Sequence, residues 1–233
     1  MSGIFITSTG TEIGKTIVAG LIIRQRRALG LPVMAIKPII SGVTSETMAD
    51  SDTGHLIRAM GQEVTLDTVE AVSPFRYAAP LAPQMAAKAE GKTLYASDVI
   101  EACKETLSEH PFTLIEGVGG AHVPLDGTQL TADWITALDL PAIVVAGSYL
   151  GTMSHTLATM EALTARGIEV RGIVVNESAP LEGATDNPNL FDTMQAIAEH
   201  TDMPIIALQR LADTEDHHRT PDLLTAFGLL SHG

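Results

Sequence analysis

The chain has 233 residues, enough for one large α/β domain with a full hydrophobic core, and residues 1–233 read as a single domain. Its 28 acidic residues outnumber 14 basic ones, a formal net charge of −14 that sets it against nucleic acid and anionic membrane surfaces as partners. One cysteine, Cys103, excludes an internal disulfide; with no signal-peptide pattern and no apolar run of bilayer length, a cytoplasmic protein is expected.

The first apolar run predicts a strand over Gly3–Thr7. It leads into Thr7-Ser8-Thr9-Gly10-Thr11-Glu12-Ile13-Gly14-Lys15-Thr16 and then a helical pattern over Lys15–Leu29. A strand, a loop ending Gly-Lys-Thr and a helix form the layout of a phosphate-binding loop. Backbone N–H groups and the positive end of the helix dipole would face the phosphates. Lys15 would add a cation, and the Thr16 hydroxyl is placed to ligand Mg²⁺. The usual first glycine, five residues before Gly14, is replaced by Thr9, with Ser8 and Gly10 on either side.

A second strand over Val33–Lys37 ends in a lysine, costly in a buried strand unless it meets a counter-charge. At a sheet edge beside a phosphate loop, Lys37 would stabilise negative charge on a phosphoryl group or carboxylate; the alternative is a side chain snorkelling to solvent. Residues 43–54 are polar, include Asp50, Ser51 and Asp52, and read as an active-site loop or a plain surface loop. Ala96–Glu109 reads as a helix that carries Cys103 as a small core residue.

The strand over Thr113–Glu116 ends in an acid followed by Gly117-Val-Gly119-Gly120. In phosphate-loop proteins such a carboxylate contacts Mg²⁺, and the glycines bring backbone N–H groups close to a ligand. The strand over Ala142–Ala146 leads through Ser148 to Thr152 into a helix over Ser154–Arg166, an anion site or simple helix capping. The strand over Gly172–Asn176 ends in an asparagine that suits a nucleobase edge or a turn. A loop over 178–189, a helix over Leu190–His200 and a strand over Ile205–Ala207 follow. The histidines, including His217 and His218, form no cluster with zinc spacing. Strand–helix alternation predicts a P-loop NTPase-like α/β fold: a mainly parallel sheet with helices on both faces and ligands at the strands' carboxyl ends.

Taken together, the motifs resemble the dethiobiotin synthetase family. They are Thr11-Glu12-Ile13-Gly14-Lys15-Thr16, Lys37-Pro38 with Ser41-Gly42, Glu116-Gly-x-Gly-Gly120, Asp133-Trp134, and Leu150-Gly151-Thr152-x-x-His155-Thr156. The resemblance implies that diaminopelargonic acid and CO₂ form a carbamate, which attacks the γ-phosphate of the co-substrate ATP; the second amine then closes the ureido ring. It implies Lys15, Lys37, Thr11 and Glu12 in catalysis, and Gly10, Thr11, Glu12, Ile13, Gly14, Lys15, Thr16, Glu116, Gly119 and Asn176 at the nucleotide. Mg²⁺ falls to Thr16, Asp52 and Glu116, with Asp50 a rival to Asp52. Substrate falls to Ser41 and to Leu150, Gly151, Thr152 and Met153 of a neighbouring subunit, hence a homodimer with shared sites.

The chain departs from the family pattern at Ser8, where a loop glycine is usual. If that position needs a positive φ, serine costs about 1 kcal/mol or more. Gln84 stands where a histidine is common, and Leu208-Gln-Arg-Leu211 lacks a proline near the base. The rival readings are a partitioning-type switch ATPase and a homologue that binds nucleotide without catalysis. The former bears a second lysine at the start of its phosphate loop, and this chain has none before Lys15.

Overall fold

Ile4, Phe5 and Ile6 are all fully buried, although successive strand residues face opposite ways. A strand of that kind needs a layer on each face, the signature of a parallel sheet covered by helices. The computed structural model of the chain describes residues 2–179, 187–210 and 220–231, and shows this arrangement. The elements run β1 (Ser2–Ser8), α1 (Lys15–Ala28), β2 (Met34–Ile36), β3 (Ile39–Ser41), α2 (Asp52–Ala59), α3 (Leu66–Val72), β4 (Phe75–Tyr77), α4 (Pro83–Ala89), α5 (Ala96–Glu109), β5 (Phe112–Glu116), α6 (Thr131–Leu138), β6 (Ala142–Gly147), α7 (Thr152–Thr164), β7 (Val170–Asn176), α8 (Leu190–Ala198), β8 (Ile205–Leu208) and α9 (Leu223–Ala226).

Among the described residues, β2-β5-β1-β6-β7-β8 form a sheet in which every pairing is parallel. The register sets Ile6 beside Glu116, Ser8 beside Val145, and Gly147 beside Asn176. The ends that carry the chemistry therefore share one edge. β1 lies centrally, with β5 on one side and β6 on the other, the crevice where ligands bind in open α/β sheets.

Side-chain alternation divides the core in two. Ile4 and Ile6 join a cluster with α1, α2, α3 and α9. Phe5 joins the other, with α4 to α8, where Trp134 meets it edge-on at 4.7 Å. No helix among the described residues is long and apolar enough to cross a membrane.

All six expected strands are present, their ends displaced by at most two residues, and Ala96–Glu109 is helical as read. Helix α7 starts two residues before the expected Ser154, because Gly151 at φ 96° turns the chain straight into Thr152. The two-stranded parallel sheet β3-β4 was not expected; at three residues a strand, it leaves no periodicity to read. The polar 43–54 stretch is also more ordered than a loop. A 3₁₀ turn spans Met48–Asp50, and the Ser51 hydroxyl accepts from the Gly54 N–H at 3.4 Å to cap α2. Of the 178–189 loop, residues 180–186 lie outside the described residues, as do Leu211, His217 and His218.

Candidate active site

The phosphate loop runs from the end of β1 to the start of α1. Its left-handed residues are Glu12 at φ 57° and Gly14 at φ 99°. Gly14 needs that freedom twice: a Cβ there would also lie 2.3 Å from the Asn176 Nδ2. Glu12 has no such excuse, and its backbone stores about 1 kcal/mol of strain. Ser8 carries no positive φ; it is the last residue of β1, so the strain expected there is absent.

Beyond the loop, the ends of three strands and the start of α2 enclose a cavity of about 440 Å³. It is lined by Thr11, Glu12, Gly14, Lys15, Thr16, Lys37, Ser41, Asp52, Glu116 and Gly119, all named from the sequence. Gly10 and Ile13 complete the loop that borders it.

Lys37 does not snorkel. It is 5% exposed, with Nζ 2.6 Å from Glu116 Oε1 and 3.1 Å from Asp52 Oδ2. Burial alone would depress its pKa, but the Glu116 and Asp52 carboxylates outweigh burial and hold it up at about 12. Lys37 is therefore a permanent cation at neutral pH. Asp52 is held below the usual carboxylate range because Lys37 overcomes the cost of its burial. Asp50 is exposed on the 3₁₀ turn, so the acid at this site is Asp52.

Lys15 stands opposite. Burial first, and the nearby Lys37 second, pull its pKa down to about 8. Its Nζ donates to Ser8 Oγ at 3.2 Å and to the Gly10 carbonyl at 3.4 Å. The Thr16 hydroxyl donates to Glu116 Oε1 at 2.8 Å, while Glu116 Oε2 is buried with no hydrogen-bond partner. A carboxylate oxygen so placed can accept a cation or a donor. Two carboxylates and a hydroxyl form a hard oxygen set of the kind that can hold a divalent cation such as Mg²⁺.

Some expected residues lie elsewhere. The Asn176 Nδ2 donates to the Ile13 carbonyl at 2.9 Å, so Asn176 braces the phosphate loop from beneath and does not line the cavity. Leu150, Gly151, Thr152 and Met153 do not line it either. They sit beyond β6, where Leu150 is 86% exposed. The neighbouring Tyr149 hydroxyl is 3.4 Å from Thr9 Oγ1 and 2.9 Å from His155 Nδ1. His55, on the cavity wall one turn after Asp52, went unread as a polar residue of the site, and Ser8, noted only as a departure from the loop pattern, is bonded to Lys15. The i, i+3 spacing from Asp52 could have signalled His55 once α2 was seen as a helix.

Solved structures agree on the fold. The chain superposes on the MinC:MinD cell division protein complex of Aquifex aeolicus with a TM-score of 0.54, covering 91% of this chain and 83% of that one at 14% identity. Among sequences, a protein of Acidiphilium cryptum named ATP-dependent dethiobiotin synthetase is 42% identical over 223 residues, 94% of this chain and 96% of the relative. One of the same name from Methylobacterium nodulans is 41% identical over 90% of this chain and 94% of the relative. A third, from Caulobacter vibrioides, is 41% identical over 97% of this chain and the whole of the relative. A family model described as an AAA domain matches residues 2–216. At that identity over nearly the full length, with the phosphate loop and the Lys37–Glu116 pair in place, the chain belongs to the dethiobiotin synthetase family.

Proposed function

We propose that the chain is an ATP-dependent dethiobiotin synthetase, a cyclo-ligase that carboxylates diaminopelargonic acid with CO₂ and closes the ureido ring. The observation that carries the reading is Lys37, fixed between Glu116 and Asp52 at the sheet edge and facing a second lysine across one cavity. The site offers cations, N–H donors and acids. That is what the chemistry asks for, because the substrate supplies its own nucleophile and the protein's work is positioning and charge neutralisation.

The roles follow from placement. The loop N–H groups of Gly10 to Lys15 cradle the phosphates, and the Lys15 ammonium meets the β/γ end. Thr11 and Glu12 border the reacting phosphoryl group and the carbamate. Ser41 on the cavity wall contacts the substrate. Lys37 lies where charge builds on the carbamate and on the transferring phosphoryl group. With its Nδ2 given to Ile13, Asn176 offers adenine its Oδ1 acceptor. Thr16, Asp52 and Glu116 would hold Mg²⁺, which when bound neutralises phosphate charge and orients the triphosphate.

Leu150, Gly151, Thr152 and Met153 would serve the carboxylate end of the substrate in the other subunit of a homodimer. We take the reaction to run in the reducing cytoplasm, which suits a chain whose one thiol is buried and pushed up to about 12 by that burial. The three partners are then small molecules: diaminopelargonic acid, CO₂ and ATP. The test is phosphate release from Mg-ATP with bicarbonate, with and without the diamine, following dethiobiotin by mass spectrometry. Release that needs the diamine and matches dethiobiotin is the expected result. Release without the diamine would make the chain a switch ATPase, and no release from protein that still binds nucleotide would make it a catalytically inert homologue.

A further inference from the structure

Ser8 is completely buried, and its hydroxyl lies within hydrogen-bond distance of four other groups of the site. The Oγ is 2.5 Å from the Gly10 carbonyl, 3.0 Å from the Gly119 carbonyl, 3.2 Å from Lys15 Nζ and 3.4 Å from the Gly10 nitrogen. A hydroxyl has one proton and two lone pairs. The proton is shared between the Gly10 and Gly119 carbonyls, and the lone pairs accept from the Gly10 N–H and the Lys15 ammonium. Those contacts span four parts of the site: the end of β1, the phosphate loop, the start of α1 and the turn after β5.

The turn after β5 is pressed against the loop. A Cβ on Gly120 would lie 3.1 Å from the Ser8 carbonyl and 3.3 Å from the Gly10 nitrogen. Gly119, at φ 54°, brings its carbonyl back to the Ser8 hydroxyl. The Lys15 ammonium is thus held against Ser8 and Gly10 at the cavity wall.

We propose that Ser8 is a positioning residue, its hydroxyl holding the Lys15 ammonium at the phosphate loop and tying that loop to the Gly119 turn, so that a triphosphate meets a cation already in place. The inference rests on the nucleotide reading above and adds to it. A lysine side chain is rich in rotamers, and ordering it at the moment of binding weakens affinity. Ordering it during folding moves that cost to a step already completed. A glycine or alanine at position 8 would leave the loop backbone able to form, because no positive φ is needed there. Among the described residues it would leave the Lys15 ammonium one hydrogen-bond acceptor, the Gly10 carbonyl at 3.4 Å.

The test is affinity for Mg-ATP and for AMP, read by competition with a fluorescent adenine nucleotide, in the wild type, Ser8→Ala, Ser8→Gly, Lys15→Ala and the Ser8→Ala/Lys15→Ala pair. Both Ser8 variants delete atoms without adding bulk, and either alone decides the question. Lysine reaches the β- and γ-phosphates, which AMP lacks. Loss of the hydroxyl is expected to weaken Mg-ATP about 10-fold while leaving AMP within about 2-fold, the size of one hydrogen bond to a charged group. In the Lys15→Ala background, Ser8→Ala should add nothing, the mark of one residue acting through another. Equal loss for both nucleotides, no loss, or a full additional loss without Lys15 would each overturn the proposal. Those results leave the nucleotide reading standing, whereas a wild-type chain that binds no Mg-ATP overturns both.

Discussion

Lys37 is the residue on which stability and chemistry depend together. Its Nζ pairs with two carboxylates, and the side chain of one of them, Glu116, is completely buried. Lys37→Ala would take from the buried Glu116 its ion-pair partner, a change of the kind that costs about 3–5 kcal/mol. Turnover should fall further, by about 10²–10³-fold, the usual loss when one group that stabilises developing charge is removed. Affinity for Mg-ATP should change much less, since Lys15 and the loop N–H groups still face the phosphates. Thermal unfolding, steady-state rates and nucleotide titration check the three parts separately; an unchanged turnover number would remove Lys37 from the reaction. At this scale most of the site was legible. Lysine at a strand end, acid before glycines and Gly-Lys-Thr before a helix are residue types whose charge and backbone freedom stand out from the apolar strands around them. Ser8 was misread because a single sequence does not reveal φ. Its hydroxyl bonds to Gly119, 111 residues away, a contact that only the folded sheet creates. The bracing role of Asn176 was hidden for a related reason: the end of β7 faces Gly14, and packing under the loop engages its Nδ2 donor.

At the scale of elements, the long buried strands were legible because continuous apolar runs between helical patterns leave few alternatives. Short elements were not. β3 and β4 are held in place by each other, and no local pattern announces them. The turn between β5 and α6 is a third case, ordered by one carboxylate. Asp126 Oδ1 accepts from the Thr128 and Gln129 N–H groups at 2.7 and 2.9 Å and from the Thr128 hydroxyl at 2.8 Å. Its Oδ2 accepts from the Ala96 N–H at 2.9 Å, tying the turn to the start of α5. Partial desolvation raises its pKa, but the bonds, led by that from Ala96, outweigh it and hold the carboxyl at about 2. The folded value lies below the ordinary 3.8, so the ionised form is favoured in the folded state. The stabilisation is complete above about pH 4 and is lost as pH falls toward about 2. Asp126→Ala should therefore lower stability at pH 7 by about 1–3 kcal/mol. The gap from the wild type should close over that acid window, as urea unfolding at a series of pH values would show. A gap that stayed constant down to pH 2 would mean that Asp126 acts through packing and not through its charge.

At the scale of the whole molecule, the cavity and the segment from Leu150 to Met153 are separate surfaces. Leu150 is 86% exposed and Met153 39%, and neither lines the cavity. The left-handed Gly151 presents them at the head of α7, whose own first residue, Thr152, is buried. Exposed apolar side chains on a structured turn suit an isologous contact, in which each subunit lends the same patch to the other. If each segment completes the partner's site, two inactive chains should rescue one another. A Lys37→Ala subunit has a dead cavity and an intact Leu150 segment, and a Leu150→Asp subunit has the reverse. Refolded together in equal amounts, they form mixed dimers in which one site combines the intact cavity with the intact segment. About one quarter of wild-type sites should then be restored. Were the segment to serve its own chain's cavity, the mixture would recover nothing. Were it to serve no site, Leu150→Asp would be active alone. Diamine-dependent phosphate release from the two pure variants and from the refolded mixture separates the three cases, and sedimentation of each sample shows whether the subunits pair at all.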